Sequence, residues 1–501
     1  MALSLAVVAP FLLHAAGAVR IGMLEQLEHI AYDARLNLTL PASRDERIVI
    51  VDIDETSLKQ IGQWPWPRDT LARLVERLVD DYGARTVGFD VVFAERAQGD
   101  EVTALRRLMR GPLADDPRLR SNIERLIPQL DHDRTFARAI EGRNVVLGYF
   151  FRQDTGASEK TTGQLPEGLR LPPETDAGRF LPRPEGYGAN LPVLQQAAAG
   201  GGFFDNPLVS SDGVFRRVPL IQYHDGALYE LLALATARAA LDWPPLSIEM
   251  ARTADRPHVD ALQLGGRRIE LDRRGAIHVP YRGRQGSFPY VSASDVLDGS
   301  ADPSVLADRI VLVGTTAAGL LDLRTTPVQN VYPGVEIQAN ILSGILDGRT
   351  LHRPEYATDA TVITIAVLGL GMTALLPFLS PLAVALATFL VAAGAIAANV
   401  TAWTAADLVL PIAAPLALIA SLFVFHVAWG FFVETRRKRR LAKLFGQYVP
   451  PELVEEMDRS PEAVTLAGES REMTVLFTDV QGFTALSEQL APNELTQVMN
   501  A

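Results

Sequence analysis

The sequence predicts a mixed α/β body held by four membrane-spanning α-helices. Three observations carry this expectation. The stretches 1–19, 361–379, 382–403 and 409–433 contain no Asp, Glu, Lys or Arg, and each reaches the roughly 20 residues that a helix needs to cross a bilayer core. Between the first and second stretch, β-branched runs alternate with segments of helical periodicity, the pattern of an α/β fold. A mean hydropathy of +0.11 with 21% charged residues is too apolar for an ordinary soluble chain and too charged for an all-membrane one.

The first stretch, with His14 as its only titratable side chain, reads as a retained anchor. A cleaved signal peptide is the competing reading, but no basic n-region precedes the apolar run, and Arg20 and amphipathic sequence follow it at once. Residues 20–358 form the body. Thr361 to Trp403 as one helix would measure about 65 Å, twice a bilayer core. Pro377 and Ser380-Pro381 break it into two spans joined by a tight turn. The last span runs to Val433 and is followed by Arg436-Arg437-Lys438-Arg439-Arg440 and Lys443. Such a basic cluster marks the cytoplasmic side. An odd number of crossings then puts the body outside the cytoplasm, and a fourth crossing puts the N-terminus inside.

Composition excludes several classes. Lys+Arg 47 against Asp+Glu 59 gives a net charge of −12, so no general nucleic-acid partner is expected. With no cysteine in the chain, disulfide frameworks, thiolate zinc sites, iron–sulfur clusters and a Cys nucleophile all drop out. A transporter would need polar groups lining its spans, and His14 and His426 alone do not make a path.

Within the body, Ile48–Ile53 reads as a buried strand, Thr70–Asp81 as a helix and Thr86–Phe93 as a second strand. Together they make a βαβ unit. Arg309–Gly314 into Val335–Leu346 repeats the strand-to-helix step. Residues 153–191, rich in Gly and Pro, read as a long loop or inserted hairpin. The alternation at Leu262, Leu264, Ile269, Leu271, Ile277 and Val279 reads as antiparallel strands. Asp52-Ile53-Asp54-Glu55-Thr56 has the D-x-D-x-T pattern of dehalogenase-type phosphatases, in which one Asp attacks phosphorus. That chemistry also needs a well-placed lysine, and the body has only Lys59 and Lys160. The plainer reading makes these carboxylates a strand end and a helix cap. Trp64 and Trp66 read as packing anchors, and Gly369-Leu370-Gly371 as a helix-packing feature.

Several motifs carry a family resemblance. They are Asp33-Ala34-Arg35, Ile50-Val51-Asp52-Ile53-Asp54-Glu55, Gly62-Gln63-Trp64-Pro65-Trp66-Pro67-Arg68 and Gly88-Phe89-Asp90 with Phe93. Further on come Asp212-Gly213-Val214-Phe215-Arg216, Val313-Gly314-Thr315-Thr316, Asp322, Pro327 and Pro333 through Asn340. In order and spacing, residues 25–350 resemble the CHASE2 domain, an extracytoplasmic sensory module of bacterial receptors. The resemblance implies a ligand-sensing role and leaves the ligand undefined.

In the tail, residues 434–470 form a linker with amphipathic pieces interrupted at Pro450-Pro451. Met473 to Asp479 then reads as a strand ending in a carboxylate, with a turn at Val480-Gln481-Gly482 and a helix starting near Ala485. An aspartate at a strand tip is a hard ligand for Mg²⁺, and the amides of a helix start hold phosphate oxygens. Phe445-Gly446-Gln447-Tyr448-Val449-Pro450-Pro451, followed by Val475 through Thr484, is similar to the entry of class III adenylate/guanylate cyclase domains, which are α+β and ferredoxin-like. The resemblance implies that Asp479 and the Val480 carbonyl bind metal and that Gly482, Phe483 and Thr484 meet the nucleotide phosphates. It implies two Mg²⁺ or Mn²⁺ ions per site, ATP as substrate, and a homodimer. The family's second metal-binding aspartate, base-selecting pair and transition-state Asn and Arg match nothing in 471–501, so the catalytic residues are unassigned. Chain 1–501 by itself is expected to make no cyclic nucleotide.

The expected protein is therefore a multi-pass receptor cyclase of a bacterial inner membrane, with its sensor outside and its C-terminus in the cytoplasm. The alternative is a CHASE2 receptor with no catalytic output or with a histidine-kinase output. A kinase needs a histidine-bearing dimerisation helix after the last span, and no histidine follows His426.

Overall fold

A computed structural model describes residues 2–97, 131–153, 161–170, 176–251, 258–317, 322–445 and 474–499, with a few isolated positions besides. The chain divides into two compact units, 1–427 and 428–501. The first is built on an eight-stranded sheet. Its strands are β1 (Ile48–Ile53), β2 (Thr86–Phe89), β3 (Val145–Arg152), β4 (Thr161–Thr162), β5 (Gly186–Gly188), β6 (Gly200–Phe203), β7 (Tyr290–Ser292) and β8 (Ile310–Thr315). They lie in the order β7-β1-β8-β2-β3-β5-β4, with β6 also on β3. The neighbours from β7 through β3 to β6 are all parallel, and β5 joins the far end of β3 antiparallel.

Strand β1 shows why the sheet is central. All six of its residues are buried. Ile48 and Ile50 face one hydrophobic cluster, and Val49, Val51 and Ile53 face the other. A continuous apolar run can satisfy both faces of a parallel sheet covered by helices on each side. One face is covered by α3 (Glu55–Ile61), α4 (Arg68–Glu76), α5 (His132–Ile140), α6 (Pro192–Ala197), α8 (Ala293–Asp298) and α9 (Pro303–Leu306). Their Leu58, Leu74, Phe136, Leu194, Val296 and Leu306 fill that core. The other face takes α7 (Leu232–Ala240) and α10 (Gly334–Asp347), joined by Tyr32 and Leu36 of α2 (Gly22–Leu38). Close approach of helix to sheet depends on glycine at two points. A Cβ on Gly314 would lie 2.5 Å from Val335 Cβ, and one on Gly88 would lie 2.8 Å from Thr236 Oγ1.

The expected βαβ unit is present, with one difference. β1 and β2 are not neighbours, because β8 inserts between them and pairs with both. The antiparallel expectation holds as a three-stranded sheet of 246–250, 259–264 and 267–270, with Leu262 opposite Ile269. In the region read as a loop or hairpin, 153–191, the described residues form short strands, including β4 and β5, and a 3₁₀ turn at Asp176–Arg179. Residues 154–160 and 171–175, Lys160 among them, lie outside the described residues.

Three helices are long and apolar enough to span a membrane: Ala357–Phe378, Pro381–Ala406 and Ala413–Val433. They belong to α11 (Ala357–Leu375, continued by a short 3₁₀ turn), α12 (Pro381–Ala406) and α13 (Ala413–Phe445). The break falls where the prolines predict it, and Ser380 caps α12 by accepting a hydrogen bond from the Ala383 amide. The last span begins at Ala413, later than the expected residue 409, because Pro411 precedes it and Glu28 Oε2 accepts the Ile412 and Ala413 amides at 2.9 and 2.8 Å. The expected fourth span is not matched. α1 (Ala2–Ala15) stops at 14 residues, about 21 Å, where the chain turns through Gly17 at φ +75°. It packs against α11, with Val8 buried in the same cluster as Ile365 and Met372. Gly369 makes the packing possible, since a Cβ there would lie 2.7 Å from Val8 Cγ1.

Candidate functional site

In open α/β sheets, ligand sites form at the carboxyl ends of adjacent strands whose following connections leave to opposite faces. β8 meets this condition on both sides. The chain leaves β8 toward α10 on one face, whereas β1 leads to α3, and β2 leads toward α5, on the other. At the β1–β8 gap, Asp52 is 8% exposed. Its carboxylate accepts the Thr316 amide at 2.9 Å and the Thr316 hydroxyl. Asp54 Oδ1 accepts the Ser57 amide at 2.7 Å, as the cap of α3, and the Ser292 hydroxyl at 2.9 Å. The D-x-D-x-T carboxylates are thus bound to neighbouring amides and hydroxyls, and Lys59 is exposed in the last turn of α3. The strand-end and cap reading holds. Burial, helped by the charge of Asp54, pushes the Asp52 carboxyl up to about 6.

At the β8–β2 gap lies a cavity of about 350 Å³. Asp90, Asp205, Asp322 and Arg324 line it, with Gln338 and the Phe204 and Phe215 rings. Burial, reinforced by the nearby Asp322, holds Asp90 well above the usual carboxylate range. Asp205 is pushed up to about 6 by burial, although its oxygens accept the Phe151 amide at 2.7 Å and the Gln222 amide group at 3.0 Å. Asp322 pairs with Arg324 at 2.9 Å. Three carboxyls beside aromatic rings give this cavity a lining chemically suited to hydrogen-bonding groups. Asp90 and Asp322 stand in the sequence motifs. Asp205 and Arg324 do not, because isolated charges in loops carry no periodic signal.

Helix α2 uses the first motif in both directions. Asp33 is bonded by Arg216 of the body. Arg35 bonds Asn399 of α12 and the Leu410 carbonyl, and its guanidinium stacks 4.2 Å over Trp403. Trp66 is a packing anchor, 2% exposed, with its indole nitrogen donating to the Gly62 carbonyl at 2.9 Å.

The unit 428–501 holds the residues read as a metal and phosphate site. Residues 474–480 have no regular secondary structure, so the expected strand does not form among the described residues. Val475, Leu476 and Phe477 are 59%, 82% and 91% exposed. The turn forms at Gly482, whose φ of +79° a side chain would resist. The helix, α14 (Phe483–Gln489), begins two residues earlier than expected, and α15 (Pro492–Met499) follows. The Phe483 amide donates to the Val480 carbonyl at 3.1 Å, and Asp479 Oδ1 accepts the Val480 amide at 2.9 Å. The turn therefore holds Asp479, Val480, Gly482, Phe483 and Thr484 within one short loop. One carboxylate and one carbonyl are hard oxygens that suit a magnesium ion, and they are only two of the six ligands that it takes. Among the described residues, no group of three or more His, Asp or Glu is placed to hold a metal ion. Gly446 to Pro451 and the rest of the linker up to residue 471 lie outside the described residues.

The fold and this layout define a class: a doubly covered α/β receiver fixed to membrane helices. The family model described as the CHASE2 domain matches residues 4–376, about three quarters of the chain, and the chain belongs to that family. CHASE2 domains are extracellular sensor domains. No curated protein and no solved structure matches the chain. The family match ends before the last two spans and the tail.

Proposed function

We propose that the chain is the sensing and membrane part of a receptor-type adenylate cyclase, a homodimer in a bacterial plasma membrane. The body lies outside, and the tail leads into a class III catalytic domain that converts ATP to cyclic AMP and diphosphate. The observation that carries this reading is the exposed apolar run Val475–Phe477 leading into Asp479 and the Gly482 turn. Three exposed hydrophobic residues of this kind suit a strand that pairs with a sheet. The motif they deliver resembles the metal and phosphate entry of the cyclases. Asp479 and the Val480 carbonyl would hold Mg²⁺ or Mn²⁺, which when bound polarises the triphosphate and the ribose 3′-oxygen. The amides from Gly482 to Thr484 would orient phosphate oxygens.

Signalling on this reading is a population shift. A ligand that binds one arrangement of the outer dimer more tightly moves the equilibrium, and α2 passes the change to the spans. The test is the reading frame after codon 501 together with the activity of its full product. Support requires a second metal-binding aspartate, an Asn-x-x-x-Arg, and ATP turnover in membranes that D479A abolishes. A frame that encodes none of these removes the cyclase reading and leaves the sensor.

A further inference from the structure

Beneath the body, where α2 meets the starts of α11 and α13, three cavities share walls. The upper one is about 330 Å³, and its polar lining includes Arg217, Arg274, Arg353, His278, Tyr32 and Glu28. The next, about 410 Å³, shares Glu28, His29, Arg353 and Pro411 with it and passes Leu24, Thr361 and Ala414. The third, about 160 Å³, shares Thr361 and Pro411 and runs between the spans along Thr364, Ala395, Ala398 and Ile412. The path begins among guanidinium groups and ends on alanine and isoleucine. It is amphipathic along its length.

Two unpartnered polar groups are buried in the wall of the upper cavity. Tyr32 is 4% exposed, and its hydroxyl has no hydrogen-bond partner. His278 Nδ1 likewise has none, and the two rings lie 5.1 Å apart. Burial, together with the Arg217 and Arg353 charges, holds His278 well below its usual range, so it stays neutral there. Arg216 is neutralised by Asp33 and Asp212, and Arg217 pairs with Asp272 at 3.3 Å. Glu28 is committed to the amides of α13. Arg274 and Arg353 make no ion pair among the described residues, and both line this cavity.

We infer that this run of cavities binds one anionic phospholipid. Its phosphate lies against Arg353 and Arg274, and an acyl chain lies in the slot between the spans. Phosphate oxygens would accept hydrogen bonds from the two guanidiniums. The apolar slot gives the lipid an advantage over a free anion, because each buried methylene adds to binding. The site sits at the depth of a headgroup if α11 and α13 start at the membrane surface. A bound lipid would tie α2 to the spans at Glu28 and Tyr32.

The test uses the full chain in neutral detergent. Thermal unfolding is followed with added phosphatidylglycerol, phosphatidylcholine or inorganic phosphate. Phosphatidylglycerol is expected to raise the midpoint saturably, and the other two to raise it little. R353Q is expected to weaken the phosphatidylglycerol response about tenfold, the loss of one charge-assisted hydrogen bond, while R353K keeps most of it. R274Q, at an exposed position, supplies an independent variant if R353Q does not fold. R268Q, on the separate three-stranded sheet, should change nothing. Equal responses to phosphatidylglycerol in wild type, R353Q and R274Q would overturn the proposal. Protection by inorganic phosphate equal to that by phosphatidylglycerol would also overturn it, by making this a soluble-anion site.

Discussion

Arg216 closes on Asp33 through two parallel hydrogen bonds, Nε to Oδ1 and Nη2 to Oδ2, both 2.7 Å. The third arm of the guanidinium donates to Asp212 Oδ1 at 2.9 Å. Two residues beyond Asp33, Arg35 turns away to Asn399 and Trp403. Successive side chains on a helix rotate by about 100°, so positions i and i+2 point to nearly opposite sides. Helix α2 therefore has one charged hand on the sensor body and the other on the membrane helices.

The Asp33–Arg216 pair predicts an asymmetric cost. The Arg216 side chain is 6% exposed, and its removal leaves two carboxylates facing each other without a cation. R216A should lose about 3 kcal/mol of stability. D33N keeps one acceptor for the guanidinium and leaves Asp212 in place, so it should lose about 1 kcal/mol. Denaturant unfolding of the two variants in detergent checks the order. Equal losses would mean that the pair does not act as described.

Asp52 and Asp205 predict a pH dependence with a definite sign. Burial raises both carboxyls to about 6, so the folded state holds these protons more tightly than the unfolded chain. Their contribution is complete below about pH 4, the unfolded carboxylate value, and is lost as pH rises toward 6. For Asp52 the whole change is about 3 kcal/mol at most. D52N cannot ionise and should flatten part of the slope between pH 4 and 6, the rest belonging to Asp205 and the other raised carboxyls, Asp90 among them. The measurement is the unfolding midpoint against pH for wild type, D52N and D205N. A slope unchanged in both variants would assign the dependence elsewhere.

Local pattern made much of this legible, and distance along the chain hid the rest. β1 matches the β-branched run Ile48–Ile53, and α10 extends the expected Val335–Leu346 by one residue at each end. The turn at Gly482 was readable because glycine marks a positive φ. The insertion of β8 between β1 and β2 was not, because strand order depends on pairings between distant segments that no local period encodes. The N-terminal anchor misled through composition alone. Its apolar run continues to Val19, but the helix ends at Ala15, and residue type does not by itself fix where a helix stops. In the candidate receiver cavity, Asp90 and Asp322 stood in motifs, while Asp205 came from a loop that offered nothing periodic.

The contact between α1 and α11 predicts a packing effect at Gly369. Any side chain there meets Val8 within 2.7 Å at its first carbon. G369L must push α1 away or bend α11, at a cost of about 1–3 kcal/mol. V8A in the same chain opens the space and should recover part of that loss, and a double-mutant cycle of thermal midpoints measures it. Strictly additive effects would show that the two helices do not touch in solution.

The topology makes the last prediction, and the absence of native cysteine makes it clean to test. Three candidate spans lie between Gln63 in the body and Gln481 in the tail, so on the proposed topology the two face opposite compartments. The basic cluster after Val433 is the reason to expect the tail in the cytoplasm, because Lys and Arg concentrate on that side. Both positions are exposed, so a cysteine at either is open to reagent. A membrane-impermeant maleimide applied to cells with a permeabilised outer membrane should label Q63C and spare Q481C. Lysis should make Q481C reactive. Labelling of both before lysis, or of Q481C alone, would reverse or collapse the arrangement on which an outward-facing receiver depends.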